Sequence, residues 1–149
     1  MGLTARMTKP KRRGLVTGIG GIFFKAREPE ALARWYRERL GFRIEGTVGV
    51  FTWKSSGPRG HKGHTVWAIF PADTEYFGRA RQAFMINFRV RELDATLSAL
   101  RKAGAEVDSK IDESEYGRFG WVTDPEGNRI ELWEPPKAYR PPEKQNPME

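Results

Sequence analysis

The 149-residue sequence contains no cysteine. That excludes disulfide scaffolds, thiolate zinc sites, iron–sulfur clusters and thiol nucleophiles, and it fits a reducing compartment. Histidine is nearly absent too, with only His61 and His64. Long apolar runs are missing, and none approaches the roughly 18 residues a membrane helix needs. The first thirteen residues contain no acid and no apolar signal core, so a secretory leader is not expected. Gly2 follows Met1, but Arg6 stands where a myristoylation signal has Ser or Thr. No helix-turn-helix, zinc-finger or RNA-binding signature occurs. A cytoplasmic location with no membrane or nucleic-acid partner is the expectation.

What is present is basic, aromatic and patterned. The net charge is +7, of which Arg6, Lys9, Lys11, Arg12 and Arg13 supply +5. The Pro-rich tail PPKAYRPPEKQNPME adds +1, leaving +1 for residues 14–134. Residues 1–14 therefore read as a disordered basic arm, 15–135 as one domain, and 136–149 as a tail. Were the arm a nucleic-acid contact, its five charges would give weak, salt-sensitive binding.

Within the domain, strand and helix signals alternate. Val16 to Phe24 reads as a strand. A helix opens at Glu28-Pro29, carries Leu32, Trp35, Tyr36 and Leu40 at helical spacing, and stops at Gly41. Phe42 to Glu45, Gly49 to Lys54 and Thr65 to Phe70 follow as short strands, with a glycine-rich loop, SSGPRGHKGH, between the last two. Phe84 to Val90 is a strand again. Leu93, Leu97 and Leu100 mark a helix ended by Gly104, a weak strand starts at Val107-Asp108, and Phe119–Thr123 and Arg129–Trp133 flank a DPEGN turn.

The two halves repeat. At an offset of 64, Gly21–Glu38 overlies Met85–Lys102 with six identities in eighteen, among them Ile22/Ile86, Phe24/Phe88 and Arg27/Arg91. The glycines at 41 and 104 slip by one. Trp67–Pro71 over Glu131–Pro135 restores the register. A duplicated βαβββ unit results, with module one at 15–73, a linker at 74–83 and module two at 84–135.

ALARWYRERLGF at 31–42, NFRVRELDATLSALRKAG at 87–104 and above all DPEGNRIELWEP at 124–135 resemble the vicinal oxygen chelate superfamily. That superfamily includes glyoxalase I, extradiol dioxygenases, methylmalonyl-CoA epimerase and the bleomycin resistance proteins. The resemblance implies an α+β fold. Two βαβββ modules would form a curved eight-stranded mixed sheet, with helices on the convex face and a ligand cleft on the concave one. It also implies a homodimer and a divalent metal on four side chains, two per module. Carried onto this chain, those positions are Gly21, Trp67, Met85 and Glu131.

Strand parity places Glu131 toward the cleft and Ile130 and Leu132 toward the helix. It sends Met85, Asn87 and Arg89 to the cleft, with Ile86, Phe88, Val90, Ile22 and Phe24 packing beneath the helices. Only Glu131 of the four implied ligands suits a hard metal. The expectation is a small-molecule-binding protein without a metal cofactor. Its ligand-binding residues would be Phe23, Trp53, Trp67, Met85, Asn87, Tyr116, Arg118 and Trp133, with Arg89 and Arg129 as further polar anchors. Glu131 would be the general base if the cleft is catalytic. Tyr116 and Arg118, in EYGRF, resemble a cleft-rim loop. Two alternatives stay open. The aromatics are core and Glu131 is a structural carboxylate paired with Arg89 or Arg129; or a relocated metal, held by Glu131 and His64, serves a lyase, isomerase or dioxygenase.

Overall fold

The computed structural model describes residues 16–54, 62–78 and 81–138. The basic arm, His61 with most of the glycine-rich loop, and the tail from 139 lie outside them. The elements run β1 (Val16–Ala26), α1 (Pro29–Leu40), β2 (Ile44–Glu45), β3 (Val48–Lys54), β4 (Lys62–Pro71), β5 (Phe84–Val90), α2 (Leu93–Lys102), β6 (Glu106–Val107), β7 (Asp112–Ser114), β8 (Gly117–Thr123) and β9 (Arg129–Glu134). Pro29 sits in the first turn of α1, and Gly41, at φ 73°, closes that helix in the left-handed region where a side chain is disfavoured.

One mixed sheet holds all nine strands in the order β2-β3-β4-β1-β5-β9-β8-β6, with β7 also on β8. The ninth strand arises because the weak strand expected at Val107 is two short pieces, β6 and β7. Each module keeps its first strand parallel to its last, β1 to β4 and β5 to β9, and the modules join through antiparallel β1 and β5. Both modules therefore belong to one continuous sheet within one chain. Among the described residues no helix is long and apolar enough to cross a membrane.

Both helices cover the same face. Ala33 and Tyr36 of α1 pack on Phe24, Trp67 and Ile69, while Leu93 and Leu97 of α2 pack on Val90, Val122 and Leu132. Glu134 Oε1 accepts the Leu93 N–H at 2.7 Å, so the end of β9 caps the start of α2. The opposite, concave face holds a third cluster of Phe23, Ala68, Phe77, Met85 and Trp121.

Register corrects two expectations. Gly49 pairs with Trp67 and Trp53 with Gly63, so both tryptophans lie on the helix-bearing face. Trp67 packs against Phe24, Tyr36 and Phe42, and Trp53 donates to Thr65 Oγ1 at 3.0 Å. Neither lines the cleft. The concave position of β4 is Ala68, which pairs with Phe23 as Glu131 pairs with Asn87. The modules are thus offset by 64 residues in their first strands but by 63 in their last. Ile22 and Ile86 are further corrections, being 37 and 40% exposed rather than packed under a helix.

Candidate functional site

Glu131 lies at the centre of the concave face with no exposed surface. A desolvated carboxylate needs donors, and three converge on it. Tyr76 donates its hydroxyl to Oε2 at 2.5 Å, Trp121 its indole N–H to the same oxygen at 3.0 Å, and Asn87 its amide to Oε1 at 2.7 Å. Each donor arrives by a different route. Asn87 is the register partner of Glu131 on β5, and Trp121 its partner on β8. The β8–β9 hairpin is locked by Asp124, which accepts the N–H groups of Glu126 and Asn128 at 2.9 Å and the Asn128 amide at 2.8 Å. The DPEGN sequence thereby sets the register that places Trp121 beside Glu131.

Tyr76 comes from the linker between modules. The Tyr76 N–H donates to Thr74 Oγ1, and the Gly78 N–H donates to the Glu75 carbonyl at 2.9 Å. These turns press Tyr76 and Phe77 onto the concave face. Tyr76 stacks on Phe70 with ring centroids 5.2 Å apart, and Phe77 is wholly buried. Sequence reasoning missed both Tyr76 and Trp121. An aromatic pair inside a linker closed by Pro71 and Gly78 was a signal for the first. The alternation of Phe119 and Trp121 with Gly120 and Val122 was a signal for the second.

Burial raises the Glu131 pKa above the usual carboxylate range, outweighing the three hydrogen bonds and the field of Arg129 that act the other way. Burial and the neighbouring carboxylate raise the Tyr76 hydroxyl, which keeps it a donor. Neither arginine pairs with Glu131. Arg129 bonds Asp108 at 2.9 Å and lies over the Trp121 ring, while Arg89 acts on His64. The structural partners of Glu131 are therefore neutral donors, a correction to the arginine pairing.

His64 is buried against Trp133, ring centroids 5.4 Å apart, and burial together with Arg89 pushes its pKa down to about 4. The residues at the four metal positions are Gly21, Ala68, Met85 and Glu131. Three of them offer no ligand for a hard or borderline cation, and the fourth already accepts three hydrogen bonds from protein donors. Arg89 beside His64 opposes a cation there as well. No cluster of three or more His, Asp or Glu suited to a metal occurs among the described residues. The donor set does not fit the metal that the superfamily resemblance implies.

Of the remaining candidates, Phe23, Met85, Asn87 and Trp133 lie on the concave face. Arg118 does not. It pairs with Asp94 of α2 at 3.0 Å and with Glu113 at 2.9 Å, toward the helix side, so the expected cleft-rim role is corrected. Tyr116 sits in the β7–β8 turn, 58% exposed, and its carbonyl engages the site by accepting the Trp133 N–H at 2.7 Å.

Two βαβββ modules joined in one mixed sheet are the architecture of the vicinal oxygen chelate proteins. A family model described as a glyoxalase-like domain matches residues 21–133, and the chain belongs to that family. Solved structures agree on the fold. Methylmalonyl-CoA epimerase from Mycobacterium tuberculosis is 19% identical with a TM-score of 0.54, covering 84% of this chain and 92% of its own. A Streptomyces coelicolor methylmalonyl-CoA epimerase variant, in complex with 2-nitronate-propionyl-CoA, is 19% identical at 0.60, covering 85% and 99%. A hypothetical protein from Bacillus halodurans is 9% identical at 0.57, covering 83% and 97%. No curated protein matches the sequence.

Proposed function

We propose that this glyoxalase-like chain binds a small, partly aromatic molecule on its concave face without a resident metal. One observation carries the reading. The only carboxylate at the four metal positions is closed by Tyr76, Asn87 and Trp121, and the other three positions hold Gly21, Ala68 and Met85. Protein donors occupy the role a cation has elsewhere in the fold. The ligand is met on the part of the concave face that solvent reaches. There, half-buried Phe119 stacks parallel to Trp133 at 6.2 Å, with half-buried Arg89 beside them in register. An aromatic wall next to a guanidinium suits a planar molecule bearing an anionic group. Glu131 holds this wall's base together rather than meeting the ligand, since it has no exposed surface.

Native mass spectrometry with elemental analysis of the purified chain tests both parts. The expected result is no stoichiometric divalent metal, together with a small mass adduct or a thermal shift from aromatic carboxylates that Arg89→Ala abolishes. A retained equivalent of divalent metal overturns the metal-free reading. An aromatic-acid shift unchanged in Arg89→Ala overturns the assignment of the ligand face.

A further inference from the structure

The linker between the modules carries a segment that the sheet does not hold by its backbone. Among the described residues, the backbone hydrogen bonds of residues 72–78 run from the Thr74 N–H to the Pro71 carbonyl at 3.0 Å and from the Gly78 N–H to the Glu75 carbonyl at 2.9 Å. Both close turns within the segment or at its root on β4, and so does the bond from the Tyr76 N–H to Thr74 Oγ1 at 3.2 Å. The end of the linker is fixed differently. Gln82 donates to the Phe84 and Arg129 carbonyls and accepts the Arg129 N–H, each at 2.8 Å, which ties it to β5 and β9. Ala72, Asp73, Glu75 and Gly78 are exposed, Tyr76 is half-buried, and buried Phe77 pins the segment to the core. An exposed stretch with few backbone ties opens locally at lower cost than the strands around it.

Tyr76 fills a slot that suits a separate ring. It stacks on Phe70 with centroids 5.2 Å apart and meets Phe23 at 6.4 Å and Trp121 at 6.2 Å edge-on. Those neighbours belong to β4, β1 and β8, so the slot is framed without the segment itself. At its floor Glu131 Oε2 accepts the Tyr76 hydroxyl, while Trp121 and Asn87 hold the carboxylate independently.

We propose that residues 72–78 are a displaceable strap, and that a small neutral phenol takes the place of the Tyr76 side chain on Glu131 when the strap opens. The phenol ring lies on Phe70, and its one hydroxyl hydrogen goes to Oε2, which satisfies the carboxylate as Tyr76 does. An aromatic acid is disfavoured, because its carboxylate would face that of Glu131 at hydrogen-bond distance. An alcohol without a ring forfeits the aromatic slot. The strap weakens the apparent affinity in proportion to the time the slot is closed. This site is separate from the Phe119–Trp133 wall, and its ligand differs in charge from the one proposed there.

p-Cresol, which is the tyrosine side chain itself, and toluene, which lacks the hydroxyl, test this by calorimetric titration and amide hydrogen exchange. Wild type is expected to bind p-cresol weakly, with faster exchange across residues 72–78 in the bound state. Tyr76→Phe has no hydroxyl to compete, so it should bind p-cresol about ten-fold tighter or more, and should bind toluene about ten-fold more weakly than p-cresol. If that variant does not fold, Thr74→Ala, which removes the acceptor of the Tyr76 N–H and keeps Tyr76, takes its place with the same expected gain in p-cresol affinity. Benzoate, the kind of anion expected at the wall, should not compete with p-cresol. No p-cresol binding to wild type near the limit of p-cresol solubility overturns the proposal. So does equal p-cresol affinity in wild type and the folded variant, unchanged or slower exchange across residues 72–78, or toluene binding as tightly as p-cresol. Competition by benzoate places the phenol on the wall, which overturns the strap and leaves the ligand reading of the wall standing.

Discussion

A carboxylate without water is held in place by what donates to it. Glu131 takes all its hydrogen bonds from neutral side chains, so its charge is solvated by the protein and not cancelled. Removing one donor leaves the others to carry a group that cannot reach solvent. Tyr76→Phe should lower unfolding stability by about 1.5–3 kcal/mol, the usual worth of a hydrogen bond to a charged group, as read by urea denaturation. A loss of only a few tenths would mean that Tyr76 contributes packing alone. The raised pKa of Glu131 also sets a pH dependence. An acid whose folded value lies above its unfolded one binds its proton more tightly when folded. Its stabilising contribution is complete below the unfolded value and lost as pH rises through the folded one. Relative to Glu131→Gln, which does not titrate, wild-type stability should therefore fall as pH rises above the ordinary glutamate range. A wild type that gains on the variant as pH rises would reverse the sign and sink this account.

At the scale of single elements, the strand pairings explain what the sequence could and could not reveal. The strand–helix–strand repeat was legible because periodicity and the helix-ending glycines are local signals. So was the concave placement of Asn87 and Glu131, which needs only period-two alternation. The last strand of module one was read a residue out of register. Gly41 and Gly104, 63 residues apart, already kept the offset that the structure shows between Ala68 and Glu131. Laying WAIFP over ELWEP matched a helix-facing tryptophan to a cleft-facing glutamate. A one-residue slip in a strand turns every side chain to the other face. Strand β1 shows the reverse economy, in which small residues make room for large neighbours. A methyl group on Gly20 would lie 2.2 Å from Asn87 Oδ1 and 3.0 Å from the Trp133 ring. Gly20→Ala should push the Asn87 amide off Glu131 and cost about 1–3 kcal/mol, the range for leaving a buried polar group unsatisfied. Stability equal to wild type, measured by thermal or urea unfolding, would show that Asn87 can shift without losing its bond.

At the scale of the molecule, the site belongs to neither module alone. Glu131, Asn87 and Trp121 lie in module two, whereas Phe23, Ala68 and Phe70, which wall the same space, lie in module one, and Tyr76 hangs from the linker between them. This is why the role of Tyr76 could not be read from the sequence, although the aromatic pair marked its segment. Its role depends on two strands far apart in the chain curving toward each other, and no local pattern encodes that meeting. The same architecture constrains unfolding. The central seam pairs β1 with β5, so separating the modules would expose the edges of both strands and strip Met85 and Phe23 of each other's cover. Shared cores couple neighbouring units into one cooperative transition. Calorimetry of the full chain should therefore give a single transition whose calorimetric and van't Hoff enthalpies agree. A fragment holding residues 81–149 should show no cooperative melt, because β5 would lose its β1 partner and Glu131 its Tyr76 donor together. Two resolved transitions, or a fragment that melts sharply, would mean that each βαβββ module is a stable unit.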